Sequence, residues 1–389
     1  MIYILLKKQL KKTKNNESIT DDMVSKSQLE KNISEISDKC KEIFVERNIL
    51  LNKIGNIIHK SVPVSVDEKN NEIVSLFNEN KRNMDKLGHH HDEILYRIDG
   101  YTSDIKIAGH RGYFLKGVGV LLNQALIQYG LNFLLKKNYT LLQPPFFMKK
   151  SVMSKTAQLE EFDESLYKIS SQSDNKEKTN DDELFLIATS EQPISALHQN
   201  EVLNPKKLPI KYGEISTCFR KEAGSHGKDT WGIFRVHQFE KVEQFVICNE
   251  EDSWNIHDEM LKICEEFYQS LELPYRVISI VSGALNNAAA KKYDLEAWFP
   301  KLGEYKELVS ASNCTDYQSR ALNIKYISNN NKKFVHMLNA TLVASERTLC
   351  CILENYQDEK GVNVPKVLQP YIGNISHIPY VNEAPKKSH

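Results

Sequence analysis

The feature that most restricts how this chain can fold is an apolar repeat near its N-terminus. Apolar side chains recur at alternating spacings of three and four residues, and Arg47 interrupts the series once. This spacing is typical of the a and d positions of a coiled coil, and it predicts a helix over about Leu29–Ile58. An amphipathic helix packed on a globular body is the alternative. The repeat consists of Ile33, Ile36, Cys40, Ile43, Arg47, Leu50, Ile54 and Ile57.

A coiled-coil helix needs a partner, and the nearest upstream candidate is Ile2–Lys12. Residues 13–28 would then form the turn of an antiparallel helical hairpin. At about 1.5 Å per residue, the second helix would be roughly 45 Å long and the first roughly 16 Å. We therefore expect residues 1–65 to form a partial antiparallel coiled-coil arm whose first helix is truncated.

The overall charge excludes a general electrostatic attraction to nucleic acid. The 389 residues carry 51 basic and 51 acidic side chains, so a nucleic-acid partner would need a local basic patch. No apolar run in the sequence is long enough to cross a bilayer, which predicts no membrane association. Seven cysteines without a CxxC pair are typical of reduced thiols in a cytoplasmic protein.

The polar, mixed composition of residues 66–108 predicts a linker into the main domain. His89, His90 and His91 are consecutive within it. Consecutive side chains diverge on a helix or strand, and no further ligands follow at a usable spacing, so we expect a solvated loop and no metal site. Residues 109–380 are long enough for one large domain, and residues 381–389 would be a C-terminal tail.

Strand-like runs in the main domain outnumber the helical crossovers that a parallel sheet would require. Helical periodicity covers Phe114–Lys136, about Asp252–Leu271 and about Ser345–Tyr356. We therefore predict an α+β domain built on an antiparallel sheet.

Two successive strands carry polar residues at alternate positions, which is unusual for buried strands. The strands are predicted over Glu214–Glu222 and Ile233–Ile247. Their polar rows would form the floor of an anion site, with Arg220 clamping a phosphate; a surface hairpin with ion pairs is the alternative. One row consists of Glu214, Ser216, Cys218, Arg220 and Glu222, and the other of Arg235, His237, Lys241 and Glu243.

A third candidate site lies where the strand Phe334–Thr341 leads into a helix that begins at Ser345. Arg347 falls in the first turn of that helix. Helix N-terminal N–H groups and an arginine fork both bind anions, although a solvated arginine is the alternative. The sequence has no GxGxxG, and Gly224–Thr230 lacks the glycine spacing of a phosphate loop, so arginines would have to hold nucleotide phosphates.

Together these segments resemble the class II aminoacyl-tRNA synthetases, and among them the seryl-tRNA synthetases of the eukaryotic cytosolic type. Phe219–Glu222 with its loop resembles motif 2, and Arg347 in its helix resembles motif 3. Pro144–Met148 resembles motif 1, the dimer-interface element, and Ala188–Pro193 resembles the amino-acid-binding TSE loop. The likeness extends from about Leu29 to about Asn382 and includes Phe234–Glu243, Asp294–Pro300, Ser312–Gln318 and, for the eukaryotic cytosolic branch, His336–Thr341.

The resemblance implies serine–tRNA ligase activity. Such an enzyme activates L-serine with ATP to seryl-adenylate and transfers the serine to the 3′ end of tRNA(Ser), with tRNA(Sec) as an open second partner. The resemblance further implies Mg²⁺ as a cofactor, a homodimer and a cytoplasmic location.

The same resemblance assigns roles to individual residues. Arg220 would hold the α-phosphate of ATP, Arg347 the γ-phosphate, and Glu307 a magnesium ion with Ser310 nearby. The implied serine site consists of Thr189, Glu191, Arg220, Glu243, Asn339 and Thr341. The implied ATP site consists of Arg220, Lys221, Glu222, Val236, His237, Gln238, Phe239, Glu307, Leu308, Val309, Ser310 and Arg347.

This residue set suits serine. Glu191 or Glu243 can pair with the serine ammonium group and accept a hydrogen bond from its hydroxyl. A pocket built to bind a hydroxyl rejects alanine by roughly 10⁴–10⁵, whereas the extra methyl of threonine is worth only about 1–3 kcal/mol unless the wall is rigid. No general base is needed, because the attacking carboxylate is already ionised.

Two residues depart from the family pattern. Lys306 stands where the family usually has arginine before Glu307, and Trp231 stands where arginine is common in the motif 2 loop. Lysine is a poorer bidentate donor than arginine. Trp231 would instead be suited to stack on a base of the tRNA acceptor end.

Two other functions fit parts of the sequence. A class II relative that passes its amino acid to a carrier protein would agree with the short first helix. A non-catalytic paralogue that binds RNA or a structural partner is disfavoured by the retention of Arg220, Glu307, Asn339 and Arg347. Serine-dependent pyrophosphate exchange would distinguish an enzyme from the non-catalytic paralogue. Loading of a carrier protein without tRNA charging would establish the carrier-protein relative.

Overall fold

The computed structural model describes residues 21–52, 54–82, 88–102, 105–156, 165–170, 183–222 and 232–384. The chain divides into two units, Met1–Gly55 and Asn56–His389. The predicted first arm helix, Ile2–Lys12, and the departure at Trp231 lie outside the described residues.

The secondary structure is given in chain order within each class. The helices are α1 (Asp21–Asn52), α2 (His91–Arg97), α3 (Ile105–Ala108), α4 (Val118–Lys136), α5 (Lys150–Met153), α6 (Glu191–Ser195), α7 (Ser253–Ser270), α8 (Tyr317–Leu322) and α9 (Ser345–Tyr356). The strands are β1 (Glu72–Phe77), β2 (Tyr101–Thr102), β3 (Phe114–Leu115), β4 (Thr140–Leu142), β5 (Phe147–Lys149), β6 (Lys168–Ile169), β7 (Leu184–Leu186), β8 (Val202–Leu203), β9 (Ile210–Phe219), β10 (Gln238–Cys248), β11 (Tyr275–Ser279), β12 (Lys291–Phe299), β13 (Glu304–Asn313), β14 (Lys325–Ser328), β15 (Asn331–Phe334), β16 (His336–Ala344), β17 (Gly361–Asn363) and β18 (His377–Pro379).

The N-terminal unit contains the long helix α1, of 32 residues. The helix begins earlier and ends earlier than predicted: residues 21–28 are helical and not a turn, and Ile54 and Ile57 lie beyond its end. Asn56 and His59 instead donate backbone hydrogen bonds to Asn287 and Ala290 of the second unit. The predicted arm boundary at residue 65 is therefore wrong, because backbone pairing ties the chain to the larger unit from Asn56 onward.

The second unit is built on an eight-stranded sheet in the order β1-β11-β12-β13-β16-β10-β9-β4. Every neighbouring pair is antiparallel except β4 and β9, which are parallel. Helices α4, α7 and α9 pack against this sheet. The predicted α+β domain on an antiparallel sheet is confirmed.

The prediction of a linker over residues 66–108 is wrong. Glu72–Phe77 is an edge strand of the main sheet, paired with β11, and His91 at the start of α2 is buried. The strand's own residues are mostly apolar, but it is short and is flanked by polar residues, so the composition of the whole stretch resembles that of a linker. The expected solvated loop at His89–His91 is also wrong, because the chain there begins a helix that packs on α9.

Helix α4 is the most apolar of the long helices in the described part of the chain. Its 19 residues, with a mean hydropathy of 1.3, would be long and apolar enough to cross a membrane, which the sequence was not expected to contain. Leu122 and Leu126 of α4 are fully buried in the core, and Gly130 lies against Val343 of β16. These contacts are those of a core helix.

Candidate active site

A cavity of about 440 Å³ opens on the face of the sheet opposite the helices. Alternation along β10 separates the two faces: Gln244 donates to the Met260 carbonyl of α7, whereas Lys241 and Glu243 line the cavity. Phe239 lies on the cavity side as well. Residues of β13, β16, α6 and α9, together with the segments that follow β9 and precede α6, complete the walls.

One part of the cavity is a compact cluster of hydroxyl, ammonium and carboxylate groups. The Lys241 ammonium lies 2.6 Å from Glu243 Oε1 and donates to the Thr189 hydroxyl at 2.9 Å. The hydroxyls of Thr189 and Ser190 donate to Glu243 Oε2 at 2.7 and 2.5 Å. Burial opposes the ionisation of Glu243, but the Lys241 ammonium and these hydroxyls hold its pKa below the usual value. Glu243 is therefore a buried, ionised carboxylate.

Glu214 lies directly beside this cluster and behaves in the opposite way. It pairs across the strands with Glu243, so both side chains are on the same face of the sheet. Glu214 is fully buried, and its carboxyl oxygens have no hydrogen-bond partner among the described residues. Burial and the charge of Glu243 raise the pKa of Glu214 well above its usual value. One carboxyl of the pair is therefore ionised, and the other carries a proton.

The free energy of unfolding of Glu214→Gln, relative to that of the wild type, is expected to increase as the pH rises. A carboxyl whose folded-state pKa is raised stabilises the fold below its unfolded pKa, near 4.3, and loses that contribution as the pH rises toward the folded pKa. Glutamine cannot ionise, so the stability difference should grow by up to about 1.4 kcal/mol per pH unit. Urea unfolding at about pH 5 and about pH 8 measures it. The exposed Glu359→Gln should show no such trend, and identical pH profiles for wild type and Glu214→Gln would contradict the prediction.

A second part of the cavity gathers three arginines. Arg220 lies just beyond the end of β9, its Nε donating to the Ala188 carbonyl at 3.2 Å and its guanidinium 5.1 Å from the Phe239 ring centre. Arg347 lies 5.0 Å from the Phe234 ring centre. Burial lowers the pKa of Arg347; among its charged neighbours, Glu307 raises that pKa, whereas Arg220 and Arg235 lower it. A bound polyanion would relieve this repulsion, so the cluster is suited to phosphates.

Glu307 and Ser310 reach the same cavity because β13 contains a bulge. The pairing of β12 with β13 shifts by one residue at Leu308, so that Glu307 and Ser310 both face the cavity although they are three residues apart. Asp294, opposite Ser310 on β12, is buried, and its Oδ1 has no hydrogen-bond partner in the described part of the chain. Burial and Glu307 raise the pKa of Asp294 to about 7. These oxygens form a candidate site for a hard divalent cation.

Most residues of the predicted serine and ATP sites line this one cavity. They are Thr189, Glu191, Arg220, Glu222, Val236, Phe239, Glu243, Glu307, Leu308, Ser310, Asn339, Thr341 and Arg347. The predicted residues that do not line it are Lys221, His237, Gln238 and Val309.

Strand alternation accounts for two of these four exceptions. Gln238 is exposed on the face of β10 opposite to Phe239, and Val309 belongs to the core beneath the sheet. His237 accepts a hydrogen bond at its carbonyl from the Arg220 backbone, so it supports the arginine from outside the cavity. Lys306, the residue that departs from the family pattern, pairs with Glu304 at 3.0 Å outside the cavity.

The polar row predicted along β9 is only partly at the ligand site. Ser216 and Cys218 are buried and do not line the cavity, so they are not a floor for an anion. The lining residues that were not singled out include Gln318, which donates to Glu191 at 2.6 Å, Phe234 beneath Arg347, and Glu346. Glu346 follows Ser345 in the first turn of α9, an acidic position that could have been noticed.

Comparison with known proteins decides the family. Residues 167–356 match the family described as tRNA synthetase class II core domain (G, H, P, S and T). The cytoplasmic serine–tRNA ligase of Schizosaccharomyces pombe is 58% identical over 350 residues, which are 87% of this chain and 76% of that relative. The chain belongs to the serine–tRNA ligase family.

Solved structures of this family share the fold. The cytoplasmic serine–tRNA ligase of Naegleria fowleri, in complex with AMP, is 48% identical with a TM-score of 0.83, covering 93% of this chain and 76% of that one. The seryl-tRNA synthetase of Pyrococcus horikoshii, complexed with ATP, is 36% identical with a TM-score of 0.84, covering 98% and 90%. The antiparallel sheet is therefore that of a class II serine–tRNA ligase, and the names of the eukaryotic relatives confirm the predicted cytoplasmic location.

Proposed function

We propose that the chain activates L-serine with ATP and transfers the serine to the 3′ end of tRNA(Ser). The observation that carries this proposal is the cavity itself, which joins a hydroxyl- and carboxylate-rich cluster to a cluster of three half-buried arginines. The first cluster suits a small amino acid with a hydroxyl group, and the second suits a triphosphate. The ATP- and AMP-bound relatives support the nucleotide half of the assignment.

The cavity would recognise serine by charge and hydrogen bonding. Glu243 and Glu191 can receive the ammonium and hydroxyl groups of serine, and Thr189, Asn339 and Thr341 supply further polar contacts around them. Gln318 fixes Glu191 through its 2.6 Å hydrogen bond, which limits the movement of that carboxylate. Fixed polar partners are left unsatisfied when alanine binds, and this is the physical basis for rejecting it.

The first chemical step needs positioning and charge stabilisation only. An oxygen of the ionised serine carboxylate attacks the α-phosphorus of ATP, the bond from that phosphorus to the bridging oxygen breaks, and pyrophosphate leaves. Arg220 would stabilise the charge on the α-phosphate, Arg347 would hold the γ-phosphate, and Glu222 would contact the adenine. A ribose hydroxyl at the 3′ end of tRNA then attacks the carbonyl carbon of seryl-adenylate, and AMP leaves.

The oxygen-rich corner at Glu307 fits a magnesium ion. The buried Asp294 Oδ1 without a hydrogen-bond partner among the described residues, the Glu307 carboxylate and the Ser310 hydroxyl are hard oxygen ligands of the kind that Mg²⁺ prefers. We infer that Glu307 and Ser310 would hold the ion. When bound, it would neutralise part of the phosphate charge.

Aminoacylation with purified tRNA(Ser) tests the proposal. Serine should be charged efficiently, and alanine less well by roughly 10⁴–10⁵ because the cavity's polar groups would lose their partners. Threonine should be rejected as long as the wall is rigid. Parallel measurement of serine-dependent ATP–pyrophosphate exchange separates the two halves of the reaction. Exchange without charging would indicate that the defect lies in tRNA binding, and absence of both, or equal use of serine and threonine, would contradict the assignment.

Delivery to tRNA would involve the N-terminal unit, and we propose that it is the tRNA-binding coiled-coil arm. Positions Ile43 and Leu50 of the apolar repeat are more than half exposed on α1, which supports their having a partner surface in the complex. Lys7, Lys8, Lys11, Lys12 and Lys14 give the sequence before α1 a local positive charge. The same surface would accept tRNA(Sec) if its long arm presents the same shape.

A homodimer is proposed from the segment that resembles motif 1. Leu141, which precedes this segment, and Phe147, which lies within it, are exposed by 37% and 50%. Exposed apolar side chains of this kind are suited to pair with the same surface of a second copy across a two-fold axis.

A further inference from the structure

A cluster of nitrogen and oxygen ligands lies apart from the ATP and serine cavity, between α2 and α9. His91 Nδ1 lies 3.0 Å from Glu354 Oε1, and His90 Nε2 lies 3.8 Å from the same oxygen. All three atoms lie within 4.8 Å of one another. The cluster joins residues 263 positions apart in the sequence.

These separations fit direct coordination of a small cation. Two imidazole nitrogens and a carboxylate oxygen bound to Zn²⁺ at about 2.0–2.2 Å in a tetrahedron would be roughly 3.4 Å apart. The separations of 3.0 Å and 3.8 Å lie on either side of that value. A nitrogen-rich ligand set of this kind favours Zn²⁺ and its neighbours in the transition series over Mg²⁺ or Ca²⁺.

The ligands are oriented by further contacts, as metal ligands usually are. The other nitrogen of His90, Nδ1, lies 2.7 Å from Asp92 Oδ1, which favours the tautomer that presents Nε2 to the cluster. The second oxygen of Glu354 accepts a hydrogen bond from the Lys301 backbone at 3.1 Å. A carboxylate–histidine pair of this form fixes the ring and makes its coordinating nitrogen more basic.

Burial makes the cluster selective and also leaves an entrance. His91 and Glu354 are 1% and 2% exposed, whereas the side chain of His90 is 13% exposed. A cation entering past His90 would lose most of its water shell on the other two ligands, and a water molecule at the open side would complete four-fold coordination. Gly232 allows this arrangement, because a Cβ at that position would lie 2.7 Å from His91 Nε2.

We propose that His90, His91 and Glu354 bind one divalent transition-metal ion, Zn²⁺ being the best fit, which fastens α2 to α9. Helix α9 carries Arg347 about two turns before Glu354. The site is therefore a structural metal site that stabilises the helix carrying Arg347 at the ATP cavity, and it does not take part in the reaction.

Cobalt replacement tests the site directly. Chelator-treated protein is titrated with Co²⁺, and the visible absorption is recorded. The wild type is expected to bind one ion per chain with the intense bands of a four-coordinate cobalt, and Zn²⁺ should displace it and raise Tm. Glu354→Gln, which keeps an oxygen toward His91, should bind at least tenfold more weakly, and His91→Gln should do the same.

Two control variants distinguish this site from others. His89→Gln changes a neighbouring histidine outside the cluster, and Glu307→Gln removes the carboxylate of the proposed magnesium site; both should keep the four-coordinate spectrum. Far-UV circular dichroism identifies any variant that fails to fold. If either His91→Gln or Glu354→Gln does not fold, the other one tests the site. A wild-type spectrum of hydrated, six-coordinate cobalt, or one that survives in folded His91→Gln and Glu354→Gln, would overturn the proposal and leave an ordinary histidine–carboxylate hydrogen bond.

Discussion

Replacing Arg220 by alanine is expected to abolish serine-dependent ATP–pyrophosphate exchange. Arg220 is held at the cavity by the Ala188 carbonyl and the Phe239 ring, and Arg347 is a charged neighbour. It is the group proposed to stabilise the charge that builds on the α-phosphate. Loss of one such preorganised donor typically costs about 10²–10³ in rate, and loss of a full guanidinium should cost roughly 10³ or more.

The matched control is Arg320→Ala, which removes an arginine half-exposed on α8 and paired with Asp316. It should retain exchange within about twofold, since an exposed ion pair contributes little. Arg220→Lys keeps the charge but not the planar fork and should recover only a small part of the activity. Trp231→Arg, which restores the common family residue, should leave exchange nearly intact. Full exchange in Arg220→Ala would refute the role of this arginine.

Replacing Glu243 by glutamine is expected to remove most serine binding while ATP binding persists. Glu243 is buried, ionised and surrounded by Lys241, Thr189 and Ser190. Glutamine would lose the charge that attracts the serine ammonium and would present an N–H where Glu243 accepts. Two lost hydrogen bonds to a charged group, at about 1.5–3 kcal/mol each, correspond to roughly 10²–10⁴ in kcat/KM for serine.

Pyrophosphate exchange with serine and ATP varied separately measures this effect. The KM for serine should rise, and the KM for ATP should stay within a few-fold of wild type. Glu214→Gln is the matched control, because it makes the same change one strand away in a carboxyl that already carries a proton. If Glu214→Gln raised the KM for serine and Glu243→Gln did not, Glu214 and not Glu243 would be the ionised carboxylate that binds serine. The remaining Lys241 ammonium could lower the stability of Glu243→Gln, so both variants should be compared below their unfolding temperatures.

Much of the candidate site was accessible from the sequence because strands alternate. A polar residue at every second position of a buried strand marks a face, and Lys241 with Glu243 on β10 and Asn339 with Thr341 on β16 do line one cavity. The motifs around Arg220 and Arg347 predicted which residues belong to the nucleotide half. The same alternation explains the exclusion of Gln238, which the family likeness had included.

Other parts depended on contacts that no local pattern contains. The bulge at Leu308 brings Glu307 and Ser310 to one face, although strict alternation would place them on opposite faces. The strand Glu72–Phe77 is short and lies in a stretch of polar composition, so only its pairing with β11, far away in the sequence, shows that it belongs to the sheet. His91 meets Glu354 across 263 residues, so their spacing in the sequence could not indicate a shared site.

The sequence by itself determined the family and the antiparallel sheet and predicted the serine and phosphate residues, because strand periodicity and ordered motifs are local properties of the chain. It also predicted a long N-terminal helix, although not its ends. Only the tertiary structure decided which of two adjacent carboxyls is ionised. Glu243 has Lys241 and two hydroxyls as partners, whereas Glu214 is buried beside a negative charge. The protonation of a buried group depends on its neighbours in space, and those are set by the packing of strands and loops far apart in the chain.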